Sequence, residues 1–473
     1  MSHNKVVLAS LQRACLIKEL NAFISIAQPQ DLSPSRSTDR LNGFTVAIKD
    51  NFCTTDFKTT CASQMLADYN PGYDASIVEK LRKEGAILFG KTNLDEFAMG
   101  SGTVDSLHGP TKNIWGSPLH YTIGGKERKS KPSWRIAGGS SGGSAVAVAS
   151  GTCRIGIGSD TGGSTRNPAS YCGVVGFKPT YSSVSRHGLI PLVNSMDVPG
   201  IITRTVDDAV LTYNVISGHD PKDSTTVEVS PVKLDDKFNL NKIKVGIPRE
   251  YHCEGLSQEV LEVWKSIARI LQEAGAKVSQ MSMPHTSSSI ACYSVLNQCE
   301  VASNMARYDG LRYGHRSSQC KSTHDLYASS RSEGLGLVVR GRILAGNFFL
   351  LQRNYSKYFE KAMKVRRLIC EDFKRAWDEF DILLTPTTLS GAPELRQFAG
   401  LDNREQCVMN DYCTQPANMS GCPAISIPVA LNKNELPLSL QLMSKNYDEE
   451  TLLSVARIIE KYVSFPSIEL VDT

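Results

Sequence analysis

The sequence predicts an α/β fold on two observations: apolar runs of strand length alternate with helical windows, and the chemistry-bearing residues fall where those runs stop. Strand ends are where sites form in α/β sheets. In chain order, Phe44 to Ile48 is a buried strand ending on Lys49-Asp50-Asn51. Ser76 to Glu84 reads as a helix stopped by Gly85, and Ala86 to Phe89 as the next strand. Ala145 to Ser150 favours a helix and Ile155 to Ile157 a strand, each beside a glycine-serine cluster. Lys242 to Ile247 is strand-like. Ser257 to Ala274 is an amphipathic helix with Val260, Trp264, Ile267 and Leu271 on one stripe, capped by Ser257 and stopped by Gly275. Asp381 to Pro386 and Ile425 to Val429 close the series as buried strands.

With 41% apolar and 21% charged residues over 473 positions, the chain can bury a large core. The turn-rich stretch 217–223 is a candidate lobe junction, but continuous α/β patterning on both sides favours one domain over residues 1–473. Gly116 to Ser133, with Lys126, Arg128, Lys129 and Lys131 beside Glu127, reads as an exposed insertion of about 116–133. A net charge of +4, with acidic and basic residues mixed, does not indicate direct nucleic-acid binding. Thirteen cysteines without a C-x-x-C pair fit reduced thiols. Nine histidines without metal-ligand spacing predict no metal. No run of about 18 apolar residues is present, so no membrane insertion is expected. The first 18 residues carry Lys5, Arg13 and Lys18 and no acid, as a mitochondrial leader would, although Leu20 to Ile24 already reads as folded structure.

Two clusters carry the chemistry: Gly138-Gly139-Ser140-Ser141-Gly142-Gly143-Ser144 and Asp160-Thr161-Gly162-Gly163-Ser164-Thr165-Arg166, with 24 residues from Ser140 to Ser164. Each can bring a hydroxyl and bare backbone amides to one point, the requirement for acyl transfer. Either cluster alone reads as a tight turn. With Lys49 they form a two-serine and lysine set, in which a neutral amine accepts a proton through a bridging hydroxyl. An exposed lysine is under roughly 1% neutral at pH 8, so Lys49 must be buried. Gly138-x-Ser140-x-Gly142 also matches the nucleophile elbow of α/β-hydrolases, which would need a downstream acid and one of His187, His219, His252, His285, His315 or His324. Neither cluster continues into Gly-Lys-Ser/Thr, so a phosphate loop is not expected.

Gly43 to Asn51, Gly138 to Ser144 and Asp160 to Arg166 together resemble the amidase signature family. That resemblance implies a large mixed β-sheet covered by helices on both faces, with a signature core at about residues 41–205. It implies Lys49 as base, Ser140 as a bridging serine after a cis peptide, and Ser164 as nucleophile. The amides of Thr161, Gly162, Gly163 and Ser164 would form the oxyanion hole.

Thr59 to Ser63, Lys91 to Ser101 and Arg307 to Gly314 extend the resemblance to one branch of the family, the A subunits of glutamyl-tRNA(Gln) amidotransferases. The branch implies glutamine hydrolysis, with ammonia passed to a B subunit that converts Glu-tRNA(Gln) to Gln-tRNA(Gln) using ATP and Mg. No cofactor is expected in this chain. Arg342 is expected at the glutamine α-carboxylate, Asp411 at its α-ammonium, and Tyr293 against the substrate. Only 48 residues precede Lys49, shortening the N-terminal region (1–40), and the 116–133 insertion lengthens the path to Ser140. Both resemble mitochondrial versions, which implies the mitochondrial matrix and a small third subunit, C-like or of a fungal F-like type. A stand-alone amidase of another small amide and a catalytically silent scaffold are the alternatives.

Overall fold

The computed structural model describes residues 3–31, 39–318 and 320–471. Fourteen strands are present among them. They are β1 Phe23–Ile26, β2 Thr45–Lys49, β3 Ile87–Thr92, β4 Tyr121–Ile123, β5 Lys126–Glu127, β6 Ile155–Asp160, β7 Val175–Lys178 and β8 Val198–Thr203. They continue as β9 Lys244–Pro248, β10 Lys277–Met281, β11 Ile382–Pro386, β12 Ala424–Leu431, β13 Pro437–Ser444 and β14 Ile468–Leu470. Eleven form one sheet in the order β1-β3-β2-β6-β8-β7-β12-β13-β11-β9-β10. It is mixed: β2 runs parallel to β3 and β6, β9 parallel to β10 and β11, and the centre is antiparallel.

Apolar side chains explain why this sheet is interior. Along β2, Val46 and Ile48 join the largest core cluster, while Ala47 packs with Phe89, Ala147 and Cys153 in another. Successive side chains of a strand point to opposite faces, so both faces of β2 are covered. Helix Gln258–Glu273 buries Val260, Trp264, Ile267 and Leu271, the stripe expected from its periodicity. Ser257 caps it by accepting the Val260 amide, and the Trp264 indole donates to the Leu384 carbonyl at 3.1 Å.

Three local expectations are refined. The helix after the first glycine cluster runs Gly142–Ala149, starting before Ala145. Its opening amides have outside acceptors, Gly142 on Thr103 Oγ1 at 3.0 Å and Gly143 on the Asn93 carbonyl at 3.2 Å, which holds two poor helix formers in a first turn. Strand β9 starts at Lys244 because residues 240–242 form a single 3-10 turn. The 116–133 stretch is exposed only in part. It folds as the β4-β5 hairpin against β14, with Tyr121 and Ile123 buried and residues 124–127 in solvent.

Residues 217–223 are held down, Ser217 by Lys80 and Asp220 by Ser185, and strands from both sides of this stretch share the large sheet. All thirteen cysteines are free thiols. Among the described residues no helix is long and apolar enough to cross a membrane.

Candidate active site

Register builds the site. Parallel pairing sets Ile48 beside Ile157, so Lys49 at the end of β2 and Ser159-Asp160 at the end of β6 emerge together. Lys49 is fully buried, and its Nζ lies 2.7 Å from Ser140 Oγ and 2.9 Å from Ser159 Oγ. Burial pushes the amine down to about 7, against the pull of the Asp95, Asp160 and Asp197 charges.

The Gly139–Ser140 peptide is cis. The two glycine clusters are clamped together. The Ser141 amide donates to the Ser164 carbonyl at 3.1 Å, and the Ser141 hydroxyl sits between the Ser159 amide and carbonyl, 3.3 Å from each. From Ile155 to Cys172 every residue is buried except Ser164, which is part-exposed. Its hydroxyl has no hydrogen-bond partner among the described residues, so the Lys49-Ser140 link is closed and the Ser140-Ser164 link is open.

The second turn is shaped by a buried ion pair. Arg166 and Asp160 are completely inaccessible and doubly bonded, Nε to Oδ2 at 3.0 Å and Nη2 to Oδ1 at 2.8 Å. Burial pushes the Asp160 carboxyl up, but Arg166 overcomes it and holds the group well below the ordinary carboxylate range. Asp160 Oδ1 also accepts the Gly163 amide at 3.0 Å. That donor, expected in the oxyanion hole, is therefore already engaged. The amides of Thr161, Gly162 and Ser164 have no protein acceptor among the described residues.

Close packing makes the turn's glycines necessary. Gly163 has φ +134°, and a Cβ there would lie 2.1 Å from Thr414 Oγ1; at Gly162 it would lie 2.9 Å from the Tyr293 ring and hydroxyl.

These contacts lead to the more distant residues. Thr414 donates to the Gly162 carbonyl at 2.6 Å and lies 3.2 Å from the Asp411 carbonyl. Tyr293 accepts from Asn297 Nδ2 at 3.1 Å, and Asn297 Oδ1 accepts from Arg342 Nη1 at 3.1 Å. Arg342 also donates to Asn403 Oδ1 at 2.8 Å and touches Cys407 Sγ at 3.7 Å. Within the described residues Arg342 has no acidic partner in contact, and the buried Asp411 carboxylate has no donor. Burial pushes the Asp411 carboxyl well above its usual range, with the Arg342 charge pulling it back. Arg342, Asp411 and Tyr293 thus meet beside the Ser164 turn.

The histidines are elsewhere. His187 meets Ser76, His285 meets Asp372, His315 meets Glu333 and His252 stacks on Trp264. Among the described residues none contacts Ser140 or Ser164, so the elbow arrangement has no base.

Sequence patterning does not disclose the roles of Ser159, Asn51, Asn297, Asn403 and Thr414. It places Asp160 and Arg166 in one cluster without pairing them. A signal exists for that pair, since opposite charges beside buried strands and bare glycines have little choice but each other.

A family model described as Amidase matches residues 5–453. Fold and site thus define an amidase, an enzyme of acyl transfer. The mitochondrial A subunit of glutamyl-tRNA(Gln) amidotransferase of Drosophila pseudoobscura pseudoobscura is 55% identical, over 99% of this chain and 94% of its own. That of Aedes aegypti is 57% identical, over 96% and 93%. The crystal structure of the glutamyl-tRNA(Gln) amidotransferase A subunit from Thermotoga maritima superposes with a TM-score of 0.81 at 35% identity, covering 99% of this chain and 95% of that one. A 6-aminohexanoate cyclic dimer hydrolase, at 23% identity and a TM-score of 0.79, shares the fold. The chain belongs to the amidase signature family and, within it, to the glutamyl-tRNA(Gln) amidotransferase A subunits.

Proposed function

We propose that this chain is the glutaminase of a tRNA-dependent amidotransferase, hydrolysing glutamine at Ser164 and supplying the ammonia to a partner subunit. The observation that carries the substrate is the pairing of an unmatched guanidinium with an unmatched buried carboxylate, Arg342 and Asp411, beside the part-exposed Ser164. An α-amino acid brings the complementary charges. Its carboxylate accepts from Arg342, its ammonium draws the Asp411 carboxyl into the ionised form, and its side-chain amide reaches the turn. An apolar amide would leave both charges without a counter-charge.

Neutral Lys49 takes the Ser140 proton while Ser140 takes that of Ser164, and Ser164 Oγ attacks the carboxamide carbon. The open amides of Thr161, Gly162 and Ser164 face the developing oxyanion in this reading, and Gly163 acts through its backbone conformation. Return of the proton to nitrogen releases ammonia and leaves a glutamyl ester, which water cleaves to glutamate by the same relay. The ammonia passes to a B subunit, which uses ATP and Mg to convert Glu-tRNA(Gln) to Gln-tRNA(Gln). A small third subunit, C-like or F-like, completes the complex in the mitochondrial matrix.

Ammonia release from glutamine by the copurified complex tests the reading. Ser164→Ala lowers it at least ~10³-fold; an unchanged rate, or an acyl-enzyme on Ser140 in that variant, removes Ser164 as nucleophile. Arg342→Ala and Asp411→Asn each raise KM for glutamine by about 10- to 100-fold, with a smaller change in kcat. Unchanged KM in both would point to a different amide.

A further inference from the structure

Lys49 has two side-chain oxygens within reach, and only one belongs to the relay. The other, Ser159 Oγ at 2.9 Å, also receives Asn51 Nδ2 at 3.0 Å. Ser159 is buried at the end of β6 and Asn51 two residues beyond Lys49, so all three side chains are fixed by the β2-β6 pairing. We propose that Ser159, oriented by Asn51, is a positioning residue that accepts an N–H of Lys49 and holds the ammonium formed when Lys49 takes the Ser140 proton. This inference rests on the relay proposed above.

Proton counting supports it. A serine oxygen has two lone pairs and one proton, and an amide NH₂ only donates. Asn51 occupies one lone pair, leaving the other for Lys49. A neutral amine has two N–H groups and one lone pair. Anchoring one N–H on Ser159 directs the lone pair toward Ser140, 2.7 Å away. After the transfer Lys49 carries three N–H groups in a site without water contact, and Ser140 and Ser159 are its two nearest oxygens. The carboxylates whose charge reaches it stand further back: Asp95 after β3, Asp160 at the end of β6 and Asp197 before β8, together with the Cys61 thiol. Asp95 is bound to the Thr103, Val104 and Asp105 amides, Asp160 to Arg166, and Asp197 to Thr161 and two amides, and among the described residues none of the three forms an ion pair with Lys49. Ser159 is the contact left.

The test is the pH profile of glutamine kcat/KM for the copurified complex. Ser159→Ala removes an acceptor of the charged form. Its plateau falls by about 10- to 100-fold, and the acid limb moves to lower pH by about one unit. Ser159→Thr keeps the hydroxyl and restores both. A merely structural disturbance that admits water moves the limb the opposite way, toward the ordinary lysine value. An acid limb in Ser159→Ala that stays in place or rises overturns the proposal. If Ser159→Ala does not fold, Asn51→Ala is read in the same assay, where a lower plateau with a lowered limb supports it and an unmoved limb overturns it. Ser164→Ala run alongside separates the two levels: activity retained there removes the relay, whereas its loss with an unmoved Ser159→Ala limb removes only the role of Ser159.

Discussion

Lys49→Met lowers ammonia release from glutamine at least ~10³-fold while the chain still folds and copurifies with its partners. The side chain is unbranched and of similar length, and methionine removes a buried amine whose partners are two hydroxyls that can turn to other acceptors. Burial sets the pH dependence of the wild type. A base at about 7 is about nine-tenths neutral at pH 8, whereas an ordinary lysine is almost wholly charged there. Only the neutral amine accepts a proton, so kcat/KM rises with pH through a midpoint near 7 and falls about tenfold for each unit below it. A profile flat from pH 5 to pH 8 would show that another group is the base.

The second large effect is on stability. Arg166→Met leaves the Asp160 carboxylate without its ion-pair partner in a site with no solvent contact and destabilises the fold by about 3–5 kcal/mol. Arg166 also binds the Thr414 carbonyl at 3.0 Å, Gln441 Oε1 at 2.5 Å and Asn418 Oδ1 at 2.6 Å, so further acceptors lose their donor with it. Urea unfolding measures the loss directly, and a change under 1 kcal/mol would contradict the assignment. The pH dependence has a definite sign. Asp160 is held below its unfolded-state value, so its contribution is present above that ordinary value and is lost only as pH falls through the depressed folded-state value. In Arg166→Met that value rises, and acid unfolding begins at higher pH. Asp160→Asn with Arg166→Met removes both charges and costs less than Arg166→Met alone.

Much of this is legible in the chain because it is local. The β2 run is apolar and stops at a lysine, and the stripe from Val260 to Leu271 has helical period, so strand, helix and candidate base follow from neighbouring residues. The two serine turns are legible as glycine-rich clusters, and their unequal roles come from the family resemblance. What escapes is non-local or concerns orientation. Nothing near Arg166 announces that Gln441, 275 positions away, will receive it, and nothing near Tyr293 places it over Gly162. Ser159 lies one residue before the second glycine cluster, but its importance depends on the β2-β6 register, which periodicity alone leaves unspecified. The capture of the Gly163 amide by Asp160 is of the same kind, because a count of backbone donors does not say which are already engaged.

The reach of Arg166 has a consequence for synthesis. Lys49, Ser140 and Ser164 all precede Arg166, yet Thr414, Asn418 and Gln441, the acceptors that fix the turn around Ser164, are translated 248 to 275 residues after it. A nascent chain therefore carries the three proposed catalytic side chains long before the turn around Ser164 is locked. In the proposed mechanism chemical competence therefore waits for this later stretch, which also carries Asp411, so that the power to cleave and the means to choose what is cleaved are acquired together.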